Sequence, residues 1–148
     1  MRGFRRILCA SDFSRASRAA YARAVELARV NRAELTVVHV LTPFIPYVGE
    51  GYATPQAYET MLASARTHGQ RELDRLVARA RARGVRAKGL LPEGIPHDRI
   101  ARVARSRRAD LIVIGTHGRT GLARFFLGSV AARVIAIAPC PVLTVRGR

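Results

Sequence analysis

Apolar and polar positions recur along this chain with two periods, and the switching between them predicts its elements. Arg6 to Ala10, RILCA, is a short apolar run that reads as a strand. Ser11-Asp12-Phe13-Ser14 follows as a loop, and Asp12 or Ser14 then caps a helix running to about Arg32. Ala16, Ala20, Ala24, Leu27 and Ala28 give that helix a stripe, with Arg15, Arg18, Arg23 and Arg29 mostly elsewhere around it. Leu35 to Leu41, LTVVHVL, is a near-continuous β-branched run, the pattern of a strand covered on both faces. Thr42 to Thr54 carries two prolines, two glycines and two tyrosines and reads as an irregular loop or lid. A long helix is predicted from about Pro55 to Arg83, with Pro55 in its first turn. Its apolar side is Met61, Leu62, Ala65, Leu73, Leu76, Val77 and Ala80, with Gly69 a weak point. Arg71, Arg75, Arg79 and Arg83 form a solvated ridge on it. Gly84 ends the helix, Val85 to Leu91 is another strand, and Pro92-Glu93-Gly94 turns into a short helix from Pro96 to Ser106. In that helix Ile100, Val103 and Ala104 face inward. Leu111 to Ile114 is the next strand; Ser129 to Ala138 is a helix stopped by Pro139, and Val142 to Val145 is the last strand.

This strict alternation of strand and helix predicts an α/β fold: a parallel sheet with helices on both faces and right-handed crossovers. No repeat or linker divides residues 1–148, so they read as one domain, long enough to bury a core. Open sheets of this kind bind ligands beyond the carboxyl ends of their strands. The loops at Ser11 to Ser14, from Val40 onward, and at Gly115 to Gly118 all leave such ends and can converge on one crevice.

Composition changes the picture in three places. Hydrophobic residues make up 49% of the chain, too many for disorder, yet no apolar run approaches the ~20 residues of a membrane span. Ile7 to Ala10 is too short for a signal-peptide core and Asp12 follows at once, so the expected location is the cytoplasm. Cys9 and Cys140, both in strand-like surroundings, read as small buried hydrophobes and make neither a disulfide framework nor a zinc set. The formal net charge is +16, and of the 26 basic residues only Lys88 is lysine, a bias toward arginine throughout. Such a surface binds polyanions weakly and with strong salt dependence, but no base-reading module accompanies it, so specific nucleic-acid binding is not expected. The charge supports a second reading, a nucleotide-independent interaction protein that docks an acidic partner or nucleic acid.

The chemistry concentrates in Asp110–Ser129, DLIVIGTHGRTGLARFFLGS: a strand, a glycine-bearing loop and a new helix start, which are the parts of a phosphate site. Gly115 ends the strand without a side chain blocking the crevice, and Gly118 allows a turn that presents N–H groups. Arg119 and Arg124 can neutralise phosphate, and Gly128-Ser129 can form an anion nest at the helix start. Asp12, just past the first strand, can accept hydrogen bonds from a ribose hydroxyl or an adenine amine, or can simply cap its helix. Val40 offers its backbone to a base edge and its side chain to the ring, whereas His39 reads as a satisfied core histidine inside the strand. His117 can act as a base, but nothing in the sequence positions it, and it is assigned to the loop. There is no G-x-x-x-x-G-K-[ST], no G-x-G-x-x-G after the first strand and no G-x-S-x-G. No paired carboxylates and no histidine–cysteine cluster stand ready for hydrolysis or zinc, so no catalytic residue is assigned and a metal site is left open.

Gly115-x2-Gly118-x9-Gly128-Ser129 is similar to the ATP-binding signature G-x2-G-x9-G-[ST] of the universal stress protein family. ILCASDFS, LTVVHVL, ADLIVIGTHGRTGLARFFLGSVAARVI and APCPVLTVR resemble that family's blocks in order, so the likeness covers essentially the whole chain. The resemblance implies a five-stranded sheet of order 3-2-1-4-5, as in the adenine-nucleotide alpha-hydrolase-like fold. It implies that Asp12 and Val40 hold adenosine, and that Gly115, Gly118, Gly128 and Ser129 surround the phosphates with Val130 beside them. ATP, alone or with Mg²⁺, would be the ligand, and Val142 to Val145 would pair with a second copy in a homodimer. The function implied is a cytoplasmic stress-response sensor or regulator with at most slow ATP hydrolysis. The S-G-G-x-D-S and H-I-G-H motifs of related enzymes are both missing, which argues against nucleotidyl transfer.

Overall fold

The apolar runs form the strands of one parallel sheet, and the helices cover it from both sides. The computed structural model describes residues 3–43, 47–48, 51–52, 54–117 and 127–147. In chain order the elements are β1 (Arg6–Ala10), α1 (Arg15–Asn31), β2 (Glu34–Val38), β3 (Tyr47–Val48) and β4 (Gly51–Tyr52). They continue with α2 (Pro55–Ala82), β5 (Arg86–Leu90), α3 (Pro96–Ser106), β6 (Leu111–Gly115), α4 (Ser129–Ile137) and β7 (Val142–Val145). The sheet runs β5-β2-β1-β6-β7, which is the expected 3-2-1-4-5 once its five strands are numbered by themselves. Every pairing in it is parallel; Ile7 of the central strand stands opposite Leu35 on one side and Leu111 on the other.

Alternation along the strands divides the core in two. Ile7, Cys9, Leu35, Val37, Leu111 and Val113 pack with Ala20, Ala24 and Ala28 of α1 and Leu73, Val77 and Ala80 of α2. Leu8, Ala10, Val38, Ile112 and Ile114 form the other face with Ile100 and Ala104 of α3 and Ala131 and Val134 of α4. Because both faces are covered, β1 and β6 carry no polar alternation and read as continuous apolar runs, whereas the edge strand β5, RAKGL, does alternate.

The helix ends follow local chemistry. Ser14 is the N-cap of α1, its hydroxyl accepting the Ser17 N–H at 3.3 Å; Asp12 is not the cap but accepts the Ser14 N–H at 3.0 Å. Thr54 caps α2 ahead of Pro55, and Gly84 at φ 78° lets the chain leave it. Pro139 follows α4 after Ala138, as expected.

Four expectations need correction. The second strand stops at Val38 rather than Leu41: β1 ends at Ala10, and Ser11 N–H to Val38 O is the last bond between the two strands. Beyond it His39 and Leu41 still donate to Leu90 and Pro92 of the β5 side. The segment 42–54 is not wholly irregular, since Tyr47–Val48 and Gly51–Tyr52 pair antiparallel. The apolar side of α2 is buried only from Gly69 onward, and Met61 is 47% exposed. A helix of 28 residues spans about 42 Å, while a five-residue strand covers only about 17 Å, so α2 outruns the sheet. Gly69 is not merely a weak point: a Cβ there would lie 3.2 Å from Leu91 Cδ1 and 3.3 Å from His39 Cδ2, so its absence lets α2 seat closely on the sheet.

Cys9 is fully buried in β1, and burial pushes its thiol from 9.0 up to about 12. An unfolded chain releases that proton near the ordinary value while the native one holds it, so this contribution is complete below about pH 9 and is lost as pH rises toward 12. Between about pH 8 and about pH 10.5, urea titrations are expected to show about 2 kcal/mol of stability lost from this group, nearly all of it above about pH 9, a loss that Cys9→Ala lacks. Equal slopes in the two proteins would contradict the assignment.

Candidate functional site

The strand order reverses between β1 and β6: from β1 the chain proceeds to β2 and β5 on one side, then crosses to β6 and β7 on the other. The carboxyl ends of β1 and β6 therefore diverge into separate connections, leaving room between them. Asp12 lies two residues past β1 and is half-buried, and the turn around it is tightly bound. Its Oδ1 accepts the Ser14 N–H, and the buried Ser11 Oγ accepts the Phe13 N–H at 3.2 Å and donates to Ser17 Oγ at 3.3 Å. Phe13 sits at φ 64°, a left-handed conformation uncommon for an aromatic residue.

His39 helps to hold that turn. It lies one residue beyond β2 rather than inside it, with Nδ1 2.8 Å from Ser11 O; a carbonyl only accepts, so Nδ1 carries the proton in that bond. Its ring stacks on Phe13 with centroids 4.3 Å apart, and the His68 ring meets Phe13 edge-on at 6.3 Å. Residues 39 and 40 then part: His39 faces α2, while Val40 packs into the α3–α4 face together with Val130.

Glycines shape the β6 side, in two different ways. A Cβ on Gly115 would fall 2.8 Å from the backbone carbon of Ala16 and 3.0 Å from Ser17 N. Its missing side chain thus admits the first turn of α1 against the strand end; the expectation that it clears the ligand crevice is corrected. At Gly128 a Cβ would lie 2.8 Å from Thr116 O, the atom to which the Gly128 N–H donates. Thr116 N–H in turn donates to Val145 O at 2.9 Å. The glycine loop therefore leaves and re-enters the fold at one point, and delivers the start of α4 to the end of β6. Gly128 is the N-cap of α4 and no side chain caps this helix, so its first turn presents backbone N–H groups beside the exposed Ser129 and the half-buried Val130.

The fold thus gathers Asp12, Val40, Gly115, Gly128, Ser129 and Val130 at one sheet edge, while Gly118, Arg119 and Arg124 lie outside the described residues. His117 pairs through Nδ1 with Thr116 Oγ1 at 2.9 Å. Sequence reasoning missed Thr116, a buried threonine at a strand end, and the Phe13–His39–His68 stack; the adjacency of SDFS and VVHV to strand ends was the available signal. Among the described residues no group of three or more His, Cys, Asp or Glu side chains could hold a metal ion, and no helix is long and apolar enough to cross a membrane.

The model of the universal stress protein family matches residues 3–146. The chain belongs to the universal stress protein family. A universal stress protein of Thermus aquaticus is 38% identical over 97% of this chain and 99% of its own length. Among solved structures, the universal stress protein UspA from Lactobacillus plantarum superposes with a TM-score of 0.84 at 27% identity, covering 97% of this chain and 99% of that one. A universal stress protein crystallised in complex with cAMP superposes with a TM-score of 0.67 at 25% identity, covering 99% of both chains.

In this member of the family Gly115→Ala is expected to destabilise the fold by about 1–3 kcal/mol, because the added methyl meets backbone rather than a side chain that can rotate away. Urea unfolding measures it; a variant as stable as the parent would show that the β6–α1 approach is looser than described.

Proposed function

We propose that the edge between β1 and β6 binds an adenine nucleotide, ATP in the first instance, and that the chain acts as a single-domain sensor or regulator of the stress response in the cytoplasm. The observation that carries this reading is the Thr116–Gly128 closure. It sets an α4 N-terminus whose N-cap residue has no side-chain cap at the switch point of a parallel sheet, on the same sheet edge as Asp12 and Val40. The family relative in complex with cAMP supports an adenine nucleotide as the ligand class.

In this reading the Asp12 carboxylate, oriented by the Ser14 N–H, accepts from ribose hydroxyls or the adenine amine, and Val40 packs along the base. The backbone N–H groups of Ser129 and Val130 meet the phosphates just past Gly128, whose own N–H is held by Thr116 O, with Gly118 and Arg119 contributing from the loop. The fit follows from the donor set: an uncapped helix start attracts an anion, and a side chain at Gly128 would collide with Thr116 O. Mg²⁺, where present, would arrive with the nucleotide and neutralise its phosphates. Among the described residues His117 is engaged with Thr116 Oγ1, which fits a reading in which hydrolysis is at most slow.

A second copy belongs at β7. This edge strand is half-buried along all four residues, and Ile135 and Ile137 of the neighbouring α4 are 46% and 38% exposed. Pairing two such edges would satisfy the outward backbone groups and cover the isoleucines.

Calorimetry with ATP and Mg²⁺ is expected to show binding, weakened about tenfold or more in Gly128→Ala and in Gly118→Ala, which would cost the phosphates about 1.4 kcal/mol or more. No binding, or equal binding by both variants, would overturn the reading. Light scattering is expected to report two chains for the parent and one for the Ile135→Glu, Ile137→Glu variant; a monomeric parent would rule out the dimer.

A further inference from the structure

The opposite edge of the sheet, where the strands begin, carries a charge distribution that the nucleotide site does not use. Arg5, Arg6, Arg32, Arg86, Arg107 and Arg108 all lie in the connections entering β1, β2, β5 and β6 or at a strand's first residue, and all are exposed. The last turns of α1, α2 and α3 add Arg29, Arg79, Arg81 and Arg105. Against them, among the described residues of these connections, stand Glu34, which pairs with Lys88, and Asp110, whose carboxylate takes the Arg5 and Arg6 N–H groups at 2.8 and 3.1 Å. At the carboxyl edge the described residues of the connections are nearer balance, Arg15, Arg18, Arg99 and Arg146 against Asp12, Glu93 and Asp98, with Arg119 and Arg124 of the glycine loop lying outside the described residues. An arginine-biased composition would load both edges alike. Helix dipoles favour cations at helix C-termini, which accounts for the last-turn arginines and for the C-cap residues Arg32 and Arg107, but not for Arg5, Arg6 and Arg86.

The connection arginines are also held in place. Arg6 Nε donates to Arg108 O at 2.6 Å, Arg86 to Arg32 O at 3.4 Å and Arg105 to Ile137 O at 3.1 Å. Carbonyl partners fix a guanidinium without neutralising it, so these links help to hold a positive row across four neighbouring strands, about 14 Å over three strand spacings. Open hollows of about 500 and 540 Å³ lie along the row, lined by Arg81, Arg86, Lys88 and Glu34 in one and by Arg6, Arg105, Arg108 and Asp110 in the other, so that the basic residues outnumber the acidic one in each. Arg32 and Arg108 sit at φ 53° and 51°, positions where glycine or asparagine is less strained.

We infer that this amino-terminal edge of the sheet is a docking surface for the phosphate backbone of a nucleic-acid duplex, read without regard to sequence. A protein partner would need an apolar centre to its interface. Of the large hydrophobic residues exposed among the described residues, only Val30 and Ile137 stand near this edge. Single strands are held by stacking on aromatic rings, and no exposed aromatic residue occurs here among the described residues. What remains is a row of guanidiniums suited to bidentate phosphate contact, and a duplex offers one charge per about 1.7 Å along its axis.

The test uses fluorescence anisotropy of the full chain with a random 20-base-pair DNA duplex and with an RNA duplex, titrated with KCl. Single strands, anionic phospholipid vesicles and polyglutamate serve as competing arms. Both duplexes are expected to bind, with affinity falling steeply as salt rises from about 50 to about 200 mM. A clear preference between them would name the source. The variant Arg32→Asn, Arg86→Gln, Arg107→Gln is expected to bind about tenfold more weakly at low salt and to reduce the log–log salt slope by about 2–3. The equal-charge control Arg15→Gln, Arg18→Gln, Arg71→Gln is expected to change binding less than about threefold. Should the edge variant not fold, amide-exchange protection of the parent chain by duplex takes its place, expected at residues 3–6, 32–34, 83–86 and 107–110. Equal effects of both triple variants, protection spread over the whole surface, no duplex binding at low salt, or tighter binding of single strands, vesicles or polyglutamate than of duplex would each overturn the inference. Nucleotide calorimetry on the edge variant separates the two sites: the edge variant should retain the parent's ATP binding, whatever that is.

Discussion

A parallel sheet cannot turn back on itself with a short hairpin, and nearly everything distinctive about this molecule follows from that. Each strand must be left at its carboxyl end, carried across a face by a helix, and re-entered at its amino end. Four crossovers therefore place every strand exit on one edge and every strand entrance on the other. The core is the by-product, two apolar layers on either side of strands whose interiors have nowhere polar to face.

The two edges consequently differ in kind. At the exits, helices begin, and their first turns point free N–H groups into the space where β1 and β6 part. α4 is the one whose start is fastened to a strand end, by Gly128 N–H to Thr116 O, and it is capped by no side chain. At the entrances, helices end, and their carbonyls favour cations; the sequence answers with arginines and then exceeds the demand in the connections that follow. The backbone alone thus predisposes one edge to anionic small molecules and the other to carry positive side chains outward.

How much of this the sequence discloses depends on whether the cause is local. The run LIVIG, the prolines at 55 and 139 and the glycine at 84 act within a few residues of themselves, and the elements they imply are present nearly to the residue. The end of β2 is not local: Val37 and His39 look alike in LTVVHVL, and only the departure of β1 at Ala10 decides that pairing stops at Val38. The exposed first half of α2 is equally hidden, because helix length is written in the chain but sheet height is not. Of the candidate site, Asp12, Val40, Gly128 and Ser129 were legible from strand exits and a helix start, since alternation of elements suffices to bring them to one edge, whereas Val130 entered only through the family resemblance. Thr116 was not, because a threonine whose carbonyl closes the loop of residues 117–127 looks like any other threonine in the sequence.

The glycines make the same point more sharply, and bear on how a glycine signature should be read. Gly115 and Gly128 stand in one motif, yet the atom each makes room for is different. Gly115 yields to the backbone of Ala16 and Ser17 and so serves the seat of α1, whereas Gly128 yields to Thr116 O and so serves the loop. Only the second acts directly on where the α4 N–H groups point. α1 in turn begins with the Ser11–Ser17 turn that orients Asp12 and is braced by the Phe13–His39 stack, so Gly115 reaches the crevice through the helix it seats. The spacing of glycines is thus two constraints joined end to end: one seats the helix whose first turn orients Asp12 and the other fixes the start of α4, and a side chain at either would displace a different part of the sheet edge.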